Sequence, residues 1–570
     1  MLETGTPTRA NKLSKRVGDD SYAQRWCFVP ENFVTQTRYA IAVPNLTRRD
    51  ALKFSGAAAA ALLPTTLTAE QTRARQQHAP IPQWEIFELT LQGPATGNPF
   101  VDVDLSAEFR LGHRTLNVPG FYDGEGTYKV RFMPDAQGEW TYTTASNNAV
   151  LAGKSGIFTV TKPLPNAHGP VIVHNAQHFS YADGTPYFPF GTTSYAWIHQ
   201  SEALQQQTLA TLKSAPFNKI RMCVFPKHYE YNHNEPPFYP FPRNGNTNDY
   251  TRFDPHFFAH LEERILDLQK LNIEADLILF HPYDRWGYQS MSPETDAFYL
   301  RYVVARLGAY RNVWWSLANE WDLMKHKTLA DFDRLFHVLE AADAHHHLRS
   351  VHYSITQYDY SRPWVTHASL QTDEFDKAPQ WLAAWKKPVL FDECKYEGNL
   401  NKRWGNISAA EMVRRFWLGV INGCYVTHGE TYLPDTEEAF NEDTTPTLWW
   451  SHGGTLHGES SAAIAQLRKL VEESALTPNA RMGFFAQDKP YYLNATVYGG
   501  ADGKQTQTIL YFMDEHQPVW YEFPLPEGTF TAELIDPSTT TATSVAGTHT
   551  GKAKIRMKVK PGQAFRFRRA

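Results

Sequence analysis

The stretch Asn312-Val-Trp-Trp-Ser-Leu-Ala-Asn-Glu320 is an apolar run of strand length that stops at an amide and a carboxylate. A continuous run, without the polar alternation of a half-solvated sheet, is the pattern of a strand covered on both faces. Seven more candidate strands lie around it: Tyr187 to Gly191, Lys219 to Phe225, Ala275 to His281, Ser350 to Ser354, Trp364 to Ala368, Pro388 to Glu393 and Cys424 to Gly429. Helical spacing separates them, with Phe257, Leu261, Ile265 and Leu268 recurring every three to four residues, as do Met412, Phe416 and Val420, and Ile464, Leu467 and Leu470. Eight strands alternating with helices predict an α/β fold, a closed (β/α)8 TIM barrel over residues 170–478. The interval between strands five and six is too short for a full helix, so that unit is expected to be irregular.

Both flanks change period. Residues 83–162 read as short alternating strands (Trp84 to Leu91, Val101 to Leu105, Tyr128 to Phe132, Glu139 to Tyr142, Gly156 to Val160) broken by Gly, Pro, Asp and Asn. That predicts an N-terminal β-sandwich, followed by a linker at Pro163 to Pro170. Residues 485–570 return to short strands (Tyr491 to Val497, Thr506 to Phe512, Thr531 to Leu534, Lys552 to Val559, Ala564 to Arg568), a second β-sandwich.

A chain of 570 residues exceeds one core, which agrees with three domains. The net charge of -5 and the lack of a basic run exclude a nucleic-acid partner. Aromatic residues make up 14% of the chain, enough to build cores and still leave flat faces for stacking on sugar rings.

Residues 1–69 form an N-terminal extension and an export signal. Thr47-Arg-Arg-Asp-Ala-Leu-Lys-Phe54 precedes five alanines from Ala57, then Leu62-Leu-Pro64 and a small-residue exit at Leu67-Thr-Ala69. This segment resembles the twin-arginine signals of bacteria, which implies a periplasmic or secreted protein with no stable membrane insertion once the signal is removed. The apolar stretch is too short for a stable span. Of four cysteines, Cys27 would leave with the signal, and Cys223, Cys394 and Cys424 lie in or beside apolar runs, where free buried thiols are expected. No cysteine-histidine spacing suggests zinc, and His345-His-His347 reads as a solvated turn, so neither metal nor cofactor is expected.

Glu320 and Glu393 end predicted strands four and seven, and barrel active sites lie at the C-terminal strand ends. Two carboxylates so placed are the minimal equipment for cleaving a glycosidic bond. Asn319-Glu-Trp-Asp322, Phe391-Asp-Glu-Cys-Lys-Tyr-Glu-Gly398 and Arg221 on strand two resemble the clan A retaining glycoside hydrolases, among which the barrel is most similar to the apiosidase-like and cellulase-like enzymes with small β domains on both sides. The resemblance implies a carbohydrate substrate, Glu320 as acid/base and Glu393 as nucleophile, with Asn319 on the sugar 2-hydroxyl. It also implies that Arg221 orients Glu393 and keeps it ionised, and that the charge of Glu393 and burial raise the proton affinity of Glu320. His281 resembles the substrate-facing histidine on strand three.

His352, His367 and His428 end or follow strands five, six and eight, and Trp197, Trp286, Tyr396 and Trp450 follow strands one, three, seven and eight as candidate sugar platforms. Glu397, on the loop after strand seven, is the rival nucleophile. A catalytically inactive carbohydrate-binding or adhesion protein on the same barrel is the alternative function.

Overall fold

The computed structural model describes residues 76–434, 446–473, 508–514, 520–556 and 560–570. All of these belong to one compact unit, Arg73–Ala570. The expected export signal and the expected strand Tyr491 to Val497 lie outside the described residues.

Eight parallel strands form the central sheet: Phe190–Thr193, Lys219–Cys223, Glu274–Phe280, Val313–Ala318, Arg349–Ser350, Ala368–Gln371, Val389–Glu393 and Tyr425–His428. Numbered in that order, they pair from five through four, three, two, one, eight and seven to six. A parallel bridge between His352 and Ser369 joins the two ends, so the sheet closes into a barrel. Helices Glu202–Ser214, Pro255–Lys270, Pro293–Leu307, Leu329–Ala342, Ala378–Trp385, Ala409–Ile421 and Ser460–Glu473 fill the intervals, and none occurs between strands five and six.

Their N-termini are written into the sequence. Ser201, Ser292 and Ser408 accept backbone N–H groups of the first turn, and Thr328 with Asp331 forms a reciprocal capping box. The apolar stripe Phe257, Leu261, Ile265 and Leu268 is buried against the barrel, each side chain contributing roughly 1.5–3 kcal/mol.

The bounds of strands one, five and six differ most from expectation, strand five stopping at Ser350. Pro186–Tyr187 pairs antiparallel with His178–Tyr181, which pairs with Val171–His174, so strand one begins only at Phe190. This small sheet packs Val171, Phe179 and Tyr187 on Trp314, Leu348, Leu390 and Tyr425, at the N-terminal ends of the strands, and forms the barrel floor. Strand six begins at Ala368, where it was expected to end, because Trp364 to His367 precede the ladder. His367 therefore faces the floor, in edge contact with Phe179 and Trp314, and not the mouth.

The N-terminal region is an eight-stranded sheet doubled over at Arg114–Gly124. The first half of that strand pairs with Leu105–Leu111 and its last residues with Thr127–Phe132, which produces two facing layers. Phe87 stacks on Phe158 and Phe109 on Phe132 between them, with ring centroids 4.1 and 4.2 Å apart. Arg131 docks this domain on the barrel through Glu262 (2.7 Å), which also binds Arg306 (2.6 Å). Among the described residues the C-terminal region is a four-stranded sheet, Thr508–Phe512, Ala564–Arg569, Trp520–Asp536 and Thr541–Arg556, whose Phe512 stacks on Trp417 of the barrel. Its long hairpin unites what the sequence shows as separate short runs. Cys223 and Cys394 are free and buried, as expected, and Cys424 is buried.

Candidate active site

A cavity of about 640 Å³ opens at the C-terminal ends of the strands. Asn319, Glu320, Gln371 and Glu393 reach it from strand ends, and Tyr195, Lys227, Tyr283, Tyr396, Trp404 and Trp450 from the loops.

Two local departures from strand geometry aim the carboxylates. Consecutive residues of a strand point to opposite faces, yet Asn319 and Glu320 both line the cavity. Glu320 achieves this with a left-handed backbone, φ 50° and ψ 53°. On strand seven the pairing steps from Leu370 with Phe391 to Gln371 with Glu393, so Asp392 is an extra residue in the ladder. This bulge lets neighbouring acids share one side of the sheet. Asp392 turns down to Lys219 (3.0 Å), Ser369 (2.6 Å) and Thr427 (2.7 Å), and Glu393 turns up into the cavity.

Arg221 is fully buried beneath the pair. Its Nη2 donates to Asn319 Oδ1 (3.2 Å) and its Nη1 to the Tyr195 hydroxyl (3.4 Å), with Glu393 Oε1 3.6 Å away. The Tyr195 hydroxyl donates to Glu393 and the Tyr283 hydroxyl to Glu320. Asn319 Nδ2 donates to Glu320 Oε2 (3.3 Å), and the Gln371 amide, with its nitrogen toward the site, donates to Glu320 Oε1 (3.3 Å).

Burial, and then the facing charge of Glu320, push the Glu393 carboxyl above the usual carboxylate range. Arg221, the Tyr195 hydroxyl and Lys227 pull the other way without winning. Arg221 thus acts in the expected direction, lowering the proton affinity of Glu393, but at 3.6 Å it makes no hydrogen bond to the carboxylate and burial outweighs it.

Lys227 was not singled out from the sequence. It is 2% exposed, and its Nζ lies 3.8, 4.4 and 4.5 Å from the ring centroids of Tyr195, Tyr283 and Tyr229. Burial lowers its proton affinity below that of an ordinary lysine.

The other expected site residues divide. Tyr396 and Trp450 line the cavity, with ring centroids 5.5 Å apart. His352 lies under it, its Nε2 3.8 Å from Glu393 Oε1, and burial keeps its ring neutral. His281 instead ties strand three to strand two through the Phe225 carbonyl (3.1 Å), and burial lowers its pKa to about 3. Trp197 is wholly buried, its indole N–H on Met222 Sδ (3.1 Å), and so packs the core. Trp286 donates to Glu235 (3.0 Å), on the loop after strand two, and lies outside the cavity lining. His428 and Glu397 are fully buried outside the cavity lining, which removes Glu397 as a nucleophile facing this pocket. Tyr195, Tyr283 and Trp404 went unnoticed, although Tyr195 and Tyr283 sit two and three residues beyond their strands, where a chain leaving the barrel still overhangs its mouth.

Comparison with known proteins agrees with this geometry. The family model "Apiosidase-like, catalytic domain" matches residues 173–477. Two domains of unknown function, DUF5060 and DUF5605, match residues 80–147 and 496–568. A crystal structure of a candidate glycoside hydrolase from Bacteroides vulgatus is 36% identical, with a TM-score of 0.80, covering 86% of this chain and 100% of its own. A family 5 glycoside hydrolase from the same species shares the fold at 14% identity and a TM-score of 0.52, covering 71% of this chain and 95% of its own. No curated protein matches. On the family match and the 36% identical structure, the chain belongs to the family of the Apiosidase-like catalytic domain.

Proposed function

We propose that the protein is a retaining glycoside hydrolase that works by double displacement. The observation that carries this reading is the convergence of Glu320 and Glu393 on one cavity at the ends of strands four and seven, each with its own tyrosine hydroxyl. The glycoside hydrolase descriptions of the neighbouring structures support the same class of substrate.

Glu320, protonated, donates its proton to the leaving oxygen while Glu393 attacks the anomeric carbon. A glycosyl ester forms on Glu393 as the glycosidic C–O bond breaks. Glu320, now ionised, takes a proton from water, whose oxygen displaces Glu393 and frees the sugar with its anomeric configuration kept. Tyr195 and Arg221 steady the departing carboxylate of Glu393, and Asn319 is placed to hold a sugar hydroxyl. Tyr396, Trp404 and Trp450 supply apolar faces for the ring.

A screen of glycosides, with the first product followed by NMR, tests the proposal. Retention in the wild type with turnover lost in Glu393→Ala supports it. An inverted first product removes Glu393 as nucleophile. Glycan binding without turnover in the wild type would leave the inactive binding protein as the better reading.

A further inference from the structure

Behind the wall formed by Tyr396, strands seven and eight carry a second polar centre. One ligand atom each from Glu397, His428 and Glu430 lies within 4.8 Å of the others. All three residues are at most 1% exposed.

Two buried carboxylates demand positive charge, because an uncompensated buried ion costs several kcal/mol. Neither Glu397 nor Glu430 has a lysine or arginine ion pair among the described residues; His428 is the cationic candidate, with Nε2 3.8 Å from Glu397 Oε2. That separation is too long for a hydrogen bond. It does suit two atoms bound to one ion between them, since ligands about 2.1 Å from a shared metal stand roughly 3–4 Å apart.

The remaining contacts hold the carboxylates in place. Glu430 accepts the backbone N–H groups of His457 (2.5 Å) and Gly458 (2.8 Å), and Glu397 Oε1 accepts that of Glu459 (2.9 Å), at the entry to helix Ser460–Glu473. Gly458 is pressed so close that a Cβ there would lie 2.6 Å from Glu397. Glu397 Oε2, His428 Nε2 and the Ser460 hydroxyl are left buried and without hydrogen-bond partners. His428 Nδ1 faces Thr192 Oγ1 at 3.3 Å. A proton on Nδ1 donated there frees the Nε2 lone pair toward the carboxylates, as an outer hydrogen bond does for histidines that bind metal.

We infer that Glu397, His428 and Glu430 bind a divalent cation of the zinc class. Imidazole nitrogen with carboxylate oxygen is a donor set that such ions accept. The site is structural: it lies outside the sugar cavity and ties the loop after strand seven, the end of strand eight and the entry of the last helix into one wall. Tyr396, next to Glu397, inherits its position from that wall, and its ring already fills the space beside Gly429, where a Cβ would come within 2.0 Å.

The test uses the full chain without a histidine tag, stripped with EDTA and dialysed against zinc. The expected result is about one bound equivalent by elemental analysis and a melting temperature raised by several degrees. Both should be lost in Glu430→Gln and in His428→Gln. A wild type that binds no zinc and melts at one temperature with and without EDTA overturns the site, as does equal binding by wild type and both variants. Should a variant not fold, the wild-type stoichiometry and melting shift decide alone.

Discussion

Arg221 Nη2 donates to Asn319 Oδ1 over 3.2 Å, and the same guanidinium stands 3.6 Å from Glu393. One side chain of strand two thus sets both the amide beside Glu320 and the charge beside Glu393. Arg221→Lys keeps the charge and loses the fork. We expect kcat to fall about 100-fold with KM changed far less, since misplacement is felt in the reacting geometry. Steady-state kinetics decide; a loss confined to KM would make Arg221 a substrate-binding group only.

In the proposed mechanism Glu393 is ionised when it attacks, and its raised proton affinity moves the acidic limb of kcat/KM above the ordinary carboxylate value of about 4.3. With an aryl glycoside whose leaving group needs no proton, the first step survives in Glu320→Gln, azide rescues the second, and the acidic limb, set by the burial of Glu393, stays above the ordinary carboxylate value. A limb at the ordinary value would show that burial does not govern Glu393. On a substrate with a poor leaving group, the same variant should lose about 10²–10⁴-fold.

Glu274 begins strand three near the floor, where burial raises its pKa to about 8 despite the indole N–H of Trp314 at 3.1 Å. A carboxyl with raised folded affinity stabilises the fold below its unfolded value, and that stability is lost as pH climbs to the folded value. The window here runs from about 4.3 to about 8. Glu274→Gln should gain on the wild type by roughly 2–4 kcal/mol across it. Thermal melts at pH 4.5 and 8.5 check this; a difference that ignores pH counts against a protonated Glu274.

Arg48→Lys with Arg49→Lys should hold the protein in the cytoplasm of a bacterial host with a twin-arginine pathway, read by fractionation and activity. Export at the wild-type level would argue for another route.

The barrel was legible because buried parallel strands are continuous apolar runs, and Val313–Ala318 and Glu274–Phe280 fell within a residue of their expected bounds. The floor hairpin was not, because Val171–Tyr187 carries His174, His178, Asp183 and Gly184 and reads as more linker. Strand six was misplaced because His367 and Thr366 continue its pattern outside the ladder. In the site, strand-end residues such as Asn319 and Glu393 declare themselves by position. Loop residues do not: Trp197 was preferred to Tyr195, two positions earlier in the same loop, and nothing local tells which side chain turns inward. Lys227 escaped because a lysine after a strand ordinarily points to water; its aromatic enclosure is assembled from three separate loops.

Glu320 holds a backbone conformation that glycine accepts freely and a glutamate adopts at a cost of about 1 kcal/mol or more. For folding alone, this position is better filled by almost nothing: Glu320→Gly should melt higher than the wild type while turnover disappears. Selection for stability and selection for catalysis therefore pull in opposite directions at one residue. A thermostability screen run without an activity assay would be drawn to discard Glu320 first.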